Sequence, residues 1–175
     1  VGAGASTVAL LSHVWPRFRL RVQGLTDEEH LWEPVEGCWS VRAGVVDVGP
    51  VSDGRAPVTT IAWRLWHLGS STLDGFSRRL FGHPVLPFEH HDLVWFDGAE
   101  PSLAALDRAW GGFSQEVGQL DEAAFAAPLG PDFGPLAEAS RADAILHVTD
   151  EIIHHAAEVA LLRDLYAAGA RDLRR

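Results

Sequence analysis

The stretch Ser140 to Gly169, SRADAILHVTDEIIHHAAEVALLRDLYAAG, is the longest uninterrupted helical pattern in the chain. No Pro or Gly breaks it before Gly169. Ser140 is placed to cap its N-terminus, Asp143 falls in the first turn, and Gly169 supplies a C-terminal stop. A helix this long spans most of a small domain. The remaining segments must therefore fold as partners along it.

The same helix concentrates metal-competent side chains. His147, Glu151, His154, His155 and Glu158 fall close to one face, because steps of three and four residues return nearly to the same side. At 100° per residue, with His147 as origin, Glu151 lies at about 40°, His155 at about 80°, His154 at about −20° and Glu158 at about 20°. The apolar set Ile145, Val148, Ile152, Ile153, Ala156, Val159 and Ala160 centres roughly opposite, near 160° to 180°. Two pairs have ligand spacing, Glu151/His155 and His154/Glu158, and the first leans toward the core edge. A carboxylate and an imidazole four residues apart can bite one metal ion once another element supplies a third ligand. The pattern also fits a solvated polar stripe with local Glu and His contacts.

At 175 residues the chain can bury one ordinary core, and a single domain over 1–170 with a tail at 171–175 is expected. All 14 basic residues are Arg, against 24 acids, for a formal charge of −10 without a basic cluster. That argues against nucleic acid as a partner. No apolar run is long enough to cross a bilayer, and the opening stretch VGAGASTVALLSHVWPRF lacks a basic n-region, so cytoplasmic residence is the expectation. Cys38 is the only cysteine, which rules out an intrachain disulfide and any CxxC motif. Beside Trp39 it reads better as a small packed hydrophobe than as a nucleophile.

In chain order, Leu11, Val14, Trp15, Phe18, Val22 and Leu25 recur at helical steps. Pro16 requires either a start at Ser12 or a longer helix from about Ser6 kinked at the proline, and the second is preferred. Thr26-Asp27-Glu28-Glu29 predicts a capped short helix ending before Pro34. The Gly-, Pro- and Val-rich segment 34–57 predicts a structured loop, with a short strand pair around Cys38–Arg42 and Val45–Val48. Pro57 to Phe81 predicts the next long helix, with Pro57 and Thr59 or Thr60 near its start, Gly82 at its end, and Ile61, Ala62, Leu65, Leu68, Leu73, Phe76 and Leu80 on its core face. On that wheel His67 lies opposite, beside Trp63, Ser71, Asp74 and Arg78, which predicts an exposed histidine. A long loop follows, with a polar cluster Glu89, His90, His91 and Asp92 that reads as solvated. Glu100 or Ser102 begins a helix to about Leu120, burying Leu103, Leu106, Trp110, Phe113 and Val117, and Asp121 to Phe125 reads as a short turn of helix. The result is an all-α four-helix bundle with long inter-helix connections, which suit middle helices running the same way.

Taken together, GCWSVR, TTIAWRLWHLG and DEIIHHAAEVALLRD resemble the DinB-like superfamily, in particular its actinobacterial branch related to mycothiol-dependent enzymes. The likeness extends over nearly the whole chain, and TIAWRLWHLG followed about eighty residues later by a Glu-xxx-His helix is its most specific part. The resemblance implies a divalent ion held by one histidine of the second main helix and two ligands four apart on the last: His67, Glu151 and His155. This overrides the wheel position of His67. The position of Glu158 often carries a third histidine in such sequences, and the departure bears on the surroundings of the metal.

Two imidazoles and a carboxylate leave Zn²⁺, or Ni, Fe or Mn, with open positions. A coordinated thiol then loses its proton near neutral pH and can attack a small electrophile. The resemblance supplies mycothiol or a similar low-molecular-weight thiol as co-substrate, making the protein a thiol S-transferase and, by family habit, a homodimer. The same ligands would serve a metal-dependent hydrolase, and a non-catalytic stress-response protein is the rival from another class. Around the metal, His147 and Glu158 are candidates for contact with the ligands, and Trp63 and Arg163 for lining the pocket. For Arg163, near the apolar centre of its helix, a structural salt bridge is the stronger reading.

Overall fold

The computed structural model describes residues 3–49, 57–83 and 93–169. The Glu89–Asp92 cluster and the tail 171–175 lie outside them. Helix α1 covers Ala3–Arg21 and contains Pro16, so the longer of the two starts holds and begins even before Ser6. Its predicted apolar stripe, Leu11, Val14, Trp15 and Phe18, is buried, as is Val22 just beyond it. Helix α2 is a single turn, Asp27–His30, capped as its sequence predicts by the Thr26 hydroxyl, which accepts from the Glu29 N–H at 3.2 Å. His30 is fully buried and turns Nε2 to the Phe96 carbonyl at 3.2 Å, tying α2 to the segment before the third long helix.

The predicted strand pair is present and short. β1 (Val41–Arg42) pairs antiparallel with β2 (Val45–Val46) around Ala43 and Gly44, both at positive φ as a type I′ two-residue hairpin loop requires. This hairpin buries Val41 and Val46 against Ala62, Trp63 and Trp66, with Trp39 and Trp95 beside them.

The second long helix departs most from expectation. It starts at Ile61, where Thr60, one of the two threonines expected near its start, accepts from the Trp63 N–H and caps it. It then runs as α3 (Ile61–Trp66), a π-helical stretch His67–Asp74, and α4 (Gly75–Phe81), and ends on Gly82 at φ 76°. The wheel prediction of an exposed side holding Trp63 and His67 fails: Trp63 is buried. The helix has two packed faces, Ile61, Leu65 and Leu68 toward the bundle and Trp63 and Trp66 under the hairpin.

Helix α5 (Ala99–Val117) buries Leu106, Phe113 and Val117, while Leu103 and Trp110 are only half covered. Helix α6 (Glu122–Ala126) is capped by Asp121. A 3₁₀ turn, Pro131–Leu136, leads into α7 (Arg141–Ala167), where Ser140 and Asp143 form a reciprocal capping box. Ile145, Val148, Ile152 and Val159 of α7 are buried. Ile153, predicted on the same face, is exposed in a shallow groove beside α1.

Side-chain contacts fix the helix directions. Arg21 reaches Asp164 and Arg64 reaches Glu158, whereas His67 faces Glu151, so α1 runs with α7 and the α3–α4 helix runs against it. Gly69 faces Leu106 and Ser77 meets Glu116, so α5 runs with α3–α4, the same-way middle pair predicted from the long connections. One core joins all four helices, centred on Phe18, Leu65, Leu106, Phe113, Ile145 and Ile152.

Candidate metal centre

Placing the three predicted ligands together is a matter of register between α7 and the antiparallel helix beside it. On α7, Glu151 and His155 are one turn apart on the side facing α3. His67 is the first residue of the π-helical stretch, and its ring stacks flat on Trp63, one turn earlier, at 5.3 Å between centroids and 10° between planes. Rare π segments recur where a backbone adjustment aims a side chain at a site. Here the stretch opens on the histidine that crosses to α7.

His67 Nε2 lies 3.1 Å from Glu151 Oε2, and His155 Nε2 lies 3.2 Å from the same oxygen. The His67 and His155 rings meet edge to face at 4.7 Å. One donor atom from each residue lies within 4.8 Å of the other two. Ligands bound at about 2.0–2.2 Å stand roughly 3.0–3.5 Å apart in octahedral or tetrahedral geometry, so the observed spacings fit a divalent ion with small adjustments. Glu151 and His67 are each 25% exposed, which leaves the group open to solvent on one side, and His155 is buried.

The surroundings decide the state of His155. Its Nδ1 lies 2.6 Å from Glu158 Oε2, a charge-assisted distance that assigns the Nδ1 hydrogen to this bond. In a neutral ring Nε2 then carries only a lone pair, pointed at the Glu151 carboxylate oxygen. Two acceptors at that distance repel. The arrangement is satisfied by a second proton on His155 or by a cation between imidazole and carboxylate. Glu158 is itself held by Arg64: Nε lies 2.9 Å from Oε2, and Nη2 donates to Oε1 at 3.2 Å. Arg64 also lies over the Trp63 ring.

The titration tendencies agree with a metal-competent set. Burial pushes His67 below the usual imidazole value, outweighing the Glu151 hydrogen bond, and so favours the neutral, ligating form. For Glu151, burial pulls upward, but the His67 hydrogen bond and nearby charges hold the carboxyl below its usual value. Glu158 is likewise lowered against its burial, by His155 and Arg64.

A second cluster, His154, His155 and Glu158, also brings donor atoms within 4.8 Å, matching the alternative pair read from the sequence. His154 is exposed, however, and Glu158 already serves Arg64 and the Nδ1 of His155. Glu158 contacts His155 and Trp63 stacks on His67, so both stand against the candidate group. His147 does not join it: exposed one turn before Glu151, it sets its ring against Phe76 at 5.4 Å. Arg163 is excluded from the pocket, because it forms a two-pronged pair with the buried Glu29 at 2.8 and 3.1 Å and donates to the Gln23 carbonyl. Cys38 is buried. Arg64 escaped the sequence reading. Its charge inside the apolar run IAWRLW, one turn before His67, was the available signal.

The family model described as DinB superfamily matches residues 10–159. No curated protein and no solved structure matches the chain.

Proposed function

The chain belongs to the DinB superfamily, and from that premise we propose that it is a divalent-metal-dependent S-transferase that joins a low-molecular-weight thiol, of the mycothiol type, to a small electrophile. His67, Glu151 and His155 would hold the ion. The observation that carries this reading is the doubly engaged His155: with Glu158 on Nδ1, its Nε2 lone pair faces the Glu151 oxygen, an arrangement that a cation shared with Glu151 and His67 would satisfy.

A divalent ion bound there, Zn²⁺ or alternatively Ni, Fe or Mn, supplies the Lewis acidity that stabilises the deprotonated form of a thiol or of water. The chain's own residues do the rest. Glu158, braced by Arg64, fixes the ring of His155 and its tautomer. Trp63 lies against His67 and limits its rotation. The half-open face over Glu151 and His67 admits both reactants. In the reaction the thiol sulfur bonds to the electrophilic carbon, the leaving group departs with the electron pair of the bond it breaks, and the thiol proton passes to solvent.

The test is turnover of 1-chloro-2,4-dinitrobenzene by metal-loaded protein, with and without added thiol. Product that requires both metal and thiol supports S-transfer. Thiol-independent hydrolysis of ester or amide substrates moves the protein to the hydrolases, and retained metal without turnover of any of these moves it to non-catalytic binding.

A further inference from the structure

A cleft of about 470 Å³ lies between α4, the 3₁₀ turn Pro131–Leu136 and the first turns of α7, and His147, one turn before Glu151, is its lining residue nearest the ligand group on α7. That volume is in the range of small-molecule sites. Its walls are apolar, built by Phe76, Leu129, Phe133 and Leu136. The Phe76 and Phe133 rings stand 6.4 Å apart at 49°, tilted rather than stacked. Such a site accepts a chain or ring but offers little to hold a polar body.

Its charged groups are distinct in their commitments. Arg79 lines the cleft half-buried, and among the described residues it has no ion pair or hydrogen bond for its guanidinium, whereas the adjacent Arg78 pairs with Asp74. Asp143 also lines the cleft, but its carboxylate already accepts from the Ser140 N–H and hydroxyl. Asp132 is exposed on the 3₁₀ turn, where water and salt screen it. His147 stands at the other end, one turn from Glu151. Along α7 the path from Glu151 back to Ala144, at the depth of Arg79, is roughly 10 Å at 1.5 Å per residue.

We propose that this cleft receives the body of the electrophile: an apolar chain or ring whose carboxylate meets Arg79, about 10 Å from the carbon that reacts beside Glu151. The role of the bound molecule rests on the S-transfer reading. The binding itself does not.

Octanoate, butyrate and octanamide are the probes, followed by calorimetry on the metal-loaded full chain. Octanoate has the reach and the charge, so it binds at least about ten-fold more tightly than either of the others. In Arg79→Ala, octanoate falls to the level of octanamide, and Arg79→Lys restores part of the difference. Arg79 has no ion pair or hydrogen bond among the described residues, so the variant is expected to fold, which circular dichroism checks. His67→Ala retains octanoate binding, and this separates the cleft from direct carboxylate ligation of the metal. Equal octanoate affinity in Arg79→Ala and the parent, absence of binding, or loss of binding in His67→Ala each overturns the proposal. Octanoate binding that depends on Arg79, in a protein without thiol transfer, leaves the cleft standing and removes the S-transfer reading alone.

Discussion

His155 is engaged at both ring nitrogens, by Glu158 at 2.6 Å on Nδ1 and by Glu151 at 3.2 Å on Nε2. The first contact fixes which nitrogen keeps its hydrogen, and the second places the remaining lone pair in the ligand group. Glu158 therefore acts on the site through another residue. Partners of this kind are typically worth 10–100-fold in metal affinity. Glu158→Gln, which keeps the shape but loses the charge, is expected to weaken metal binding by about 10-fold, and Glu158→Ala by closer to 100-fold. Competition with a chromogenic chelator measures both. Unchanged affinity in Glu158→Ala would remove Glu158 from the site.

Among the described residues, His67 brings the one candidate ligand from outside α7. Without it, Glu151 and His155 are a two-point site on one helix, and the loss should exceed that of any supporting residue. His67→Ala is expected to purify with less than about a tenth of the parent's metal and to lose thiol-dependent turnover. Elemental analysis beside circular dichroism separates a lost ligand from a lost fold. Full metal retention in a folded variant contradicts the triad.

Acid should destabilise the metal-free protein in two stages. His67 and the buried His30 both sit below the usual imidazole value, principally through burial. As pH falls through about 6.5, the unfolded chain takes up protons that the folded chain still refuses, so stability declines. Glu151 and Glu158 are lowered as well, so the stability they contribute is present above about pH 4.3 and is lost as pH falls through their depressed folded values. Urea midpoints at pH 7.5, 6 and 5 record the first stage. His67→Gln should flatten it only in part, because His30 remains.

Arg163, for which a structural salt bridge is the stronger reading of the sequence, makes one. It neutralises Glu29, which is 7% exposed at the side chain, through two hydrogen bonds. Its removal leaves a buried carboxylate unpaired, at a cost of about 3 kcal/mol. Arg163→Met should lower the urea midpoint accordingly while leaving metal affinity of the folded protein unchanged. A loss of affinity without a loss of stability would return Arg163 to the site.

How much of this was legible in the sequence depended on whether the deciding forces were local. Ser140, Asp143 and the Glu151/His155 spacing act within a single helix, and α7 formed between the expected ends. His67 was different. Its orientation is set by a hairpin that covers the second face of α3 and by a π-helical stretch that a 100° wheel does not describe. The resemblance to a known family grouped it with Glu151 and His155, and its ring does stand beside them, where periodicity had pointed it to solvent. The bond between Arg64 and Glu158 joins positions 94 residues apart, and no local pattern in either helix announces such a pairing. Arg163 gave a partial signal: a charge at the apolar centre of a helix demanded an acid, though not Glu29 in particular.

The π-helical stretch itself offers a test of how the scaffold aims the site. Gly69 lies two residues after His67, and a Cβ there would stand 2.8 Å from Trp95 Cη2 and 3.4 Å from Leu106 Cδ1. Trp95 is a rigid ring wedged beside the hairpin cluster, so it cannot yield as the end of a flexible chain would. Overpacking of this kind costs about 1–3 kcal/mol. Relief requires either the Trp95 loop to lift or the helix to shift, and the second would carry His67 away from Glu151, where contact now rests on 3.1 Å. Gly69→Ala is therefore expected to lower the urea midpoint and also to weaken metal binding, whereas Trp95→Leu combined with Gly69→Ala should restore the metal affinity by freeing the space. If Gly69→Ala loses stability but binds metal like the parent, the loop has yielded and the position of His67 is held by Trp63 and α3 alone.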